Sequence, residues 1–180
     1  MDFGSLLPYA FSLVREPVRG ASIFLNDPVS GVAFSAGLVL LLSFVFREQR
    51  KIPYILTAVA VALLLGFAFK SFLQEERPCV ETPGKIPCPL DFALPSIHAL
   101  LAFTLVVLAV GNRSFAVYLV YALFIAFSRV YLGVHTISEV AAGLAMAFFA
   151  CVISEIIWKK MRWEIPGGLN LRHDSARLRK

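Results

Sequence analysis

A chain of 180 residues that is 58% hydrophobic and only 16% charged, with a mean hydropathy of +0.75, is too apolar for a water-soluble globular domain. The formal charge of +5 does not point to nucleic acid, because many basic residues flank apolar runs instead of lining a polar face with interleaved aromatics. No basic start leads into a short apolar stretch and a small-residue cleavage site, so a removable signal peptide is not expected.

Residues 4–25 read as helical, but Arg15, Glu16, Pro17 and Arg19 interrupt the middle, where charge and proline are costly in hydrocarbon. This predicts an amphipathic helix lying along the interface, with a sixth span as the alternative. Apolar runs follow at 29–46, 53–69, 97–110, 115–131 and 137–158. A span needs roughly 20 apolar residues, so the run at 97–110 is short. The expected fold is an all-α integral membrane bundle of five transmembrane helices plus the interfacial helix. One membrane domain over 1–162 is predicted, residues 1–28 being the interfacial helix and its connection, followed by a basic tail over 163–180.

If five spans alternate, one side receives Arg47, Arg50, Lys51, Arg113, Lys159, Lys160, Arg162 and the basic tail. The other receives Arg15, Arg19, Lys70, Arg77, Lys85 and Arg129. The excess of positive charge assigns the first side, with the C-terminus, to the cytoplasm and the second to the outside of the cell membrane. Between the second and third runs, Cys79 and Cys88 bracket a Pro- and Gly-containing stretch. Two free thiols are one reading, but an outward position favours a disulfide.

The outward helix ends carry an unusual set of ionisable residues: Lys70, Arg77, His98, Arg129 and His135. Such residues at membrane depth suggest function. Lys70 and Arg77 are seven positions apart, so a helix continuing past Phe69 would put both on one face, with Pro78 ending it. The plainer alternative is that Lys70 snorkels and Arg77 pairs with Glu75 or Glu76. Pro95-Ser96-Ile97-His98 reads as a helix start with Ser96 as N-cap, a terminus whose free amides suit an anion. Residues 128–139 read as a helix end, a turn at Gly133 and a new helix. There Glu139 either holds the imidazole of His135 or closes a capping box on Thr136.

These patches resemble the signature of the type 2 phosphatidic acid phosphatase superfamily, which includes vanadium haloperoxidases and glucose-6-phosphatase. The signature Lys-x6-Arg-Pro, Pro-Ser-Gly-His and Ser-Arg-x5-His-x3-Asp is matched by Lys70, Arg77 and Pro78, by Pro95, Ser96, Ile97 and His98, and by Ser128, Arg129, His135 and Glu139. The resemblance implies that His135 takes the phosphoryl group as a phosphohistidine and that His98 protonates the leaving oxygen. It further implies that Lys70, Arg77, Arg129, Ser96 and nearby amides such as that of Ile97 hold the phosphate oxygens. Three cations suit a reaction that asks mainly for positioning and charge neutralisation, so neither a metal nor another cofactor is expected.

Two positions depart from the pattern. Ile97 stands for Gly, adding bulk near the phosphate, and Glu139 stands for Asp, one methylene longer. The expected substrate is a lipid phosphate in the bilayer, with polyprenyl diphosphate first and phosphatidic acid or phosphatidylglycerol phosphate as alternatives. A phosphotransferase and a non-catalytic lipid-phosphate binder or transporter are the competing readings.

Overall fold

The computed structural model describes residues 3–164, and among them every regular element is a helix. The first, α1 (Phe3–Asn26), runs through Pro17 without a break, so the interruption read from the sequence does not divide it. Asp27 then adopts an extended backbone and its carboxylate accepts from the Ser30 N–H at 2.9 Å. With Pro28 preset for a first helical turn, this starts α2 (Pro28–Val45). The segments 15–26 and 30–45 meet at 90°.

A 3-10 turn, Gln49–Lys51, leads into α3 (Ile52–Leu73), which outlasts the predicted apolar run. It stops because Gln74 turns left-handed at φ 50° and its N–H returns to the Lys70 carbonyl at 3.0 Å. The expectation that one helix carries both Lys70 and Arg77 is therefore overturned. Nor does Pro78 end a helix: it opens the short α4 (Pro78–Glu81), a position where a missing N–H costs nothing.

The remaining elements are α5 (Ile97–Leu108), α6 (Phe115–Tyr131) and α7 (Ile137–Glu164). α7 continues through Glu164, so positions 163 and 164 are helical; residues 165–180 lie outside the described residues.

The short α5 is the hub of the bundle, packed against α3, α6 and α7. Its buried Ala99, Ala102 and Thr104 let neighbouring backbones come close, which is how helices associate when lipid removes the hydrophobic drive between them. Thr104 satisfies its own hydroxyl on the Leu100 carbonyl at 2.8 Å. On the outside, Leu64, Phe67, Phe72, Phe148 and Phe149 are exposed, an apolar surface suited to lipid contact. Among the described residues, two helical stretches can cross a membrane by length and composition, Gln49–Leu73 and Ile137–Met161. The bent pair of α1 and α2 makes a third if taken as one span, while α5 and α6 are shorter apolar helices.

Candidate active site

Helix ends and the loops between them build the site. From the last turn of α3 comes Lys70, buried, and from the extended residue before α4 comes Arg77, also buried. The two meet on a residue that sequence reasoning missed. Asp91, in the loop before α5, accepts from Lys70 Nζ through Oδ2 at 2.7 Å and from Arg77 Nη2 through Oδ1 at 2.6 Å. Burial pushes its carboxyl up, but the Lys70 hydrogen bond and the Arg77 charge outweigh this and hold it below its ordinary range. The Asp91 carbonyl takes Arg77 Nε at 2.8 Å, and the Phe92 carbonyl accepts from Lys70 Nζ as well. The alternative pairing of Arg77 with Glu75 or Glu76 is not the one found.

At the start of α5, Ser96 is the N-cap by backbone geometry, its carbonyl accepting the Leu100 N–H at 2.9 Å. Contrary to expectation its hydroxyl makes no capping bond. Oγ is fully buried with no protein partner. The bulk of Ile97 is turned away: its Cδ1 lies where a Cβ on Gly66 of α3 would be 2.5 Å distant. Gly66 thus makes room for the side chain that the family pattern lacks. His98 follows in the first turn of α5, near enough to Arg129, Arg77, Asp91 and His135 to feel their charges.

The end of α6 supplies Arg129, only 1% exposed. Its Nη1 donates to Asn26 Oδ1, at the end of α1, at 2.6 Å, while Nη2 is buried without a partner. Asn26 is the second residue missed; beside Asp27 and Pro28 it reads only as a helix boundary.

After α6 the chain reverses at Gly133, whose φ of 77° is costly for any residue with a Cβ. His135 follows and is buried. Its Nδ1 lies 2.6 Å from Glu139 Oε2, and its Nε2 lies 3.0 Å from Arg77 Nη1. Because Glu139 accepts at Nδ1, the neutral ring carries its proton there and its lone pair on Nε2. Burial lowers the imidazole's pKa, the Glu139 hydrogen bond works against this, and the Arg77 charge lowers it further, so the net direction is down and the ring is neutral near pH 7.

Glu139 also meets Thr136, in the N-cap half of the other reading. Its Oε1 accepts from Thr136 Oγ1 at 2.8 Å, and its N–H donates back to that hydroxyl at 3.3 Å. One carboxylate therefore serves both the helix start and the imidazole. The extra methylene over Asp is taken up within the first turn of α7.

A loop supports this turn from outside. Cys79 and Cys88 are joined by a disulfide, with Cα atoms 5.6 Å apart. Cys79 packs with Leu132 and Val134, Lys85 N–H donates to the Leu132 carbonyl at 3.0 Å, and Lys85 Nζ sits 3.1 Å above the Tyr131 ring. Among the described residues no group of three or more His, Cys, Asp or Glu is arranged to hold a metal.

What the arrangement offers is a neutral imidazole with a fixed lone pair, a second imidazole, three cations, and two buried polar atoms without a protein partner, Ser96 Oγ and Arg129 Nη2. Comparison with known families decides the lineage: the model of the PAP2 superfamily matches residues 51–163, which hold all of these groups except Asn26. The chain belongs to the PAP2 superfamily. This PAP2 protein is a membrane-embedded lipid phosphatase. It is 30% identical over 162 residues to YbjG of Escherichia coli strain K12, named as a candidate undecaprenyl-diphosphatase, covering 84% of this chain and 82% of that one. It is 29% identical over 123 residues to the undecaprenyl-diphosphatase of Sulfolobus acidocaldarius, covering 64% of this chain and 60% of that one. Its PAP2 fold is shared with the transmembrane phosphatidylglycerolphosphate phosphatase of Bacillus subtilis at a TM-score of 0.55 and 20% identity, over 84% of this chain and 87% of the other. LpxE of Aquifex aeolicus gives the same TM-score of 0.55 at 25% identity, over 78% and 93%.

Proposed function

We propose that this PAP2 phosphatase hydrolyses a polyprenyl diphosphate at the extracytoplasmic face through a phosphohistidine on His135. The observation that carries the reading is the His135 ring, held at Nδ1 by Glu139 with Nε2 turned to the cation cluster. Nε2 attacks phosphorus as the bond from phosphorus to the bridging oxygen breaks, and His98 gives that oxygen its proton. Water then cleaves the phosphorus–nitrogen bond, releasing orthophosphate and restoring the imidazole. Lys70, Arg77 and Arg129 neutralise the non-bridging oxygens, while Ser96 Oγ and Arg129 Nη2 gain the partners they lack within the protein.

The choice of lipid rests on the two relatives named for undecaprenyl diphosphate. Incubating the detergent-purified protein with undecaprenyl diphosphate, phosphatidic acid and phosphatidylglycerol phosphate, with a chelator present, tests it. Faster release from the polyprenyl diphosphate supports the reading; faster release from either glycerolipid overturns the substrate, and release from none overturns the mechanism.

In the proposed topology α2, α3, α5, α6 and α7 span the bilayer and α1 lies along the outer interface, a placement supported by its 90° turn into α2. The disulfide then faces outward. In intact cells, a membrane-impermeant thiol reagent is expected to label Cys79 and Cys88 only after reduction. Mutating both to Ser is expected to cost about 2–3 kcal/mol, the loop-closure entropy of a short ring. This appears as a thermal midpoint several degrees lower.

Asn26 fixes one end of the Arg129 guanidinium and so aims the other. Asn26→Ala is expected to lower kcat about tenfold, the worth of one hydrogen bond to a charged group, with Asn26→Gln recovering part of it. A purely structural role would instead lower the thermal midpoint and leave kcat per folded molecule unchanged.

A further inference from the structure

Lys70 and Arg77 arrive on separate segments, and Asp91 is what joins them. Its two carboxylate oxygens each take one cation, at 2.7 and 2.6 Å, presenting a pair of negative oxygens much as a phosphoryl group would. Arg77 is further engaged through Nε on the Asp91 carbonyl at 2.8 Å. Its Nη1 reaches the Val134 carbonyl at 3.1 Å and His135 Nε2 at 3.0 Å. Two conditions follow for any phosphate that enters. The donors it needs are already bonded to a carboxylate, and the nitrogen meant to attack it is covered by a guanidinium that Asp91 helps to hold in place.

Exposure decides which partner yields. The Lys70 and Arg77 side chains are 5% and 6% exposed, whereas that of Asp91 is 51% exposed. Turning the carboxylate out into water restores its hydration, but withdrawing either cation would drag a charge through packed helix ends. Leaving the cations unpaired would be costly as well, which gives the carboxylate a reason to be there when no head group is bound.

We propose that Asp91 sets the affinity of the phosphate site: its carboxylate fills the Lys70–Arg77 cradle in the resting enzyme, and an incoming phosphate displaces it toward water. The inference rests on the reading of this cluster as the phosphate site. It extends to the end of the cycle, because the returning carboxylate competes with orthophosphate and so favours product release. The ligand is defined by its chemistry, a terminal phosphate carried by a lipid or free in solution.

The test uses the full-length protein in detergent with Asp91→Asn, Asp91→Ala and Asp91→Glu. Inorganic phosphate is titrated alone while the thermal midpoint is followed, and separately as an inhibitor of lipid-phosphate hydrolysis. Removing the competing charge is expected to tighten phosphate about tenfold in the Asn and Ala variants, the equivalent of one charge-assisted hydrogen bond, with Glu close to wild type. The KM for lipid falls in parallel if the head group uses the same cradle; a fall confined to inorganic phosphate assigns the competition to product. Unchanged or weaker phosphate binding in both Asn and Ala variants overturns the proposal and makes Asp91 a residue that merely holds the cations in position. The binding arm needs no turnover, so absence of hydrolysis would defeat the phosphatase mechanism without touching this result.

Discussion

Replacing His135 with alanine is expected to reduce phosphate release by about four orders of magnitude or more, with the protein still folded and still binding inorganic phosphate. The expectation follows from division of labour in the site. In the proposed mechanism Lys70, Arg129 and Ser96 hold the anion without His135, so binding is expected to survive its loss, whereas no other described group presents an imidazole lone pair fixed by a carboxylate. The pH profile checks the same role independently. His135 must be neutral to attack, and burial together with the Arg77 charge lowers its pKa, so protonation removes activity only as pH falls below the ordinary imidazole range of about 6.5. His98 must carry the proton it donates, so activity is lost again on the alkaline side and kcat/KM is bell-shaped. Single-turnover assays with labelled lipid give the decisive measurement: a phosphoenzyme that is stable to alkali and labile to acid in wild type, and missing in His135→Ala. Residual activity within tenfold of wild type would mean that another group attacks phosphorus.

Much of this site was legible because the chemistry-bearing residues sit in short patches whose internal spacing survives folding. His135 and Glu139 are four apart, and α7 brings them together by its own periodicity. Gly133 marked its turn because only a residue free of a Cβ takes that conformation easily. What stayed hidden depended on contacts between distant segments. Asp91 lies 21 residues from Lys70 and 14 from Arg77, and nothing in a Pro-rich loop says which side chain folds back onto two cations. Asn26 and Arg129 are 103 residues apart. The union of Lys70 and Arg77 was foreseen for the wrong reason, since helical spacing suggested one face where a left-handed Gln74 instead ends α3. The space for Ile97 was hidden in the same manner, because it is provided by Gly66 on another helix.

Glu139→Gln is expected to lower kcat by about two to three orders of magnitude with little change in KM, because the damage falls on the nucleophile and not on the anion site. The carboxylate accepts from His135 through one oxygen and from Thr136 through the other, so an amide cannot replace it evenly. If the amide nitrogen faces His135, the ring must accept at Nδ1, which transfers its proton to Nε2 and removes the attacking lone pair. If the amide oxygen faces His135, the tautomer is kept but the charge that stabilises a phosphorylated ring is lost. Thr136→Val separates these effects from helix capping. It removes the hydroxyl that accepts the Glu139 N–H, which is expected to cost about 1 kcal/mol of stability while kcat stays within a few-fold of wild type. Thermal unfolding and steady-state kinetics on the two variants therefore make opposite demands: Glu139→Gln should fail chiefly in turnover and Thr136→Val chiefly in stability. Equal losses of turnover in both would mean that the carboxylate acts by holding the start of α7, and that the orientation of His135 depends on the helix and not on the charge beside it.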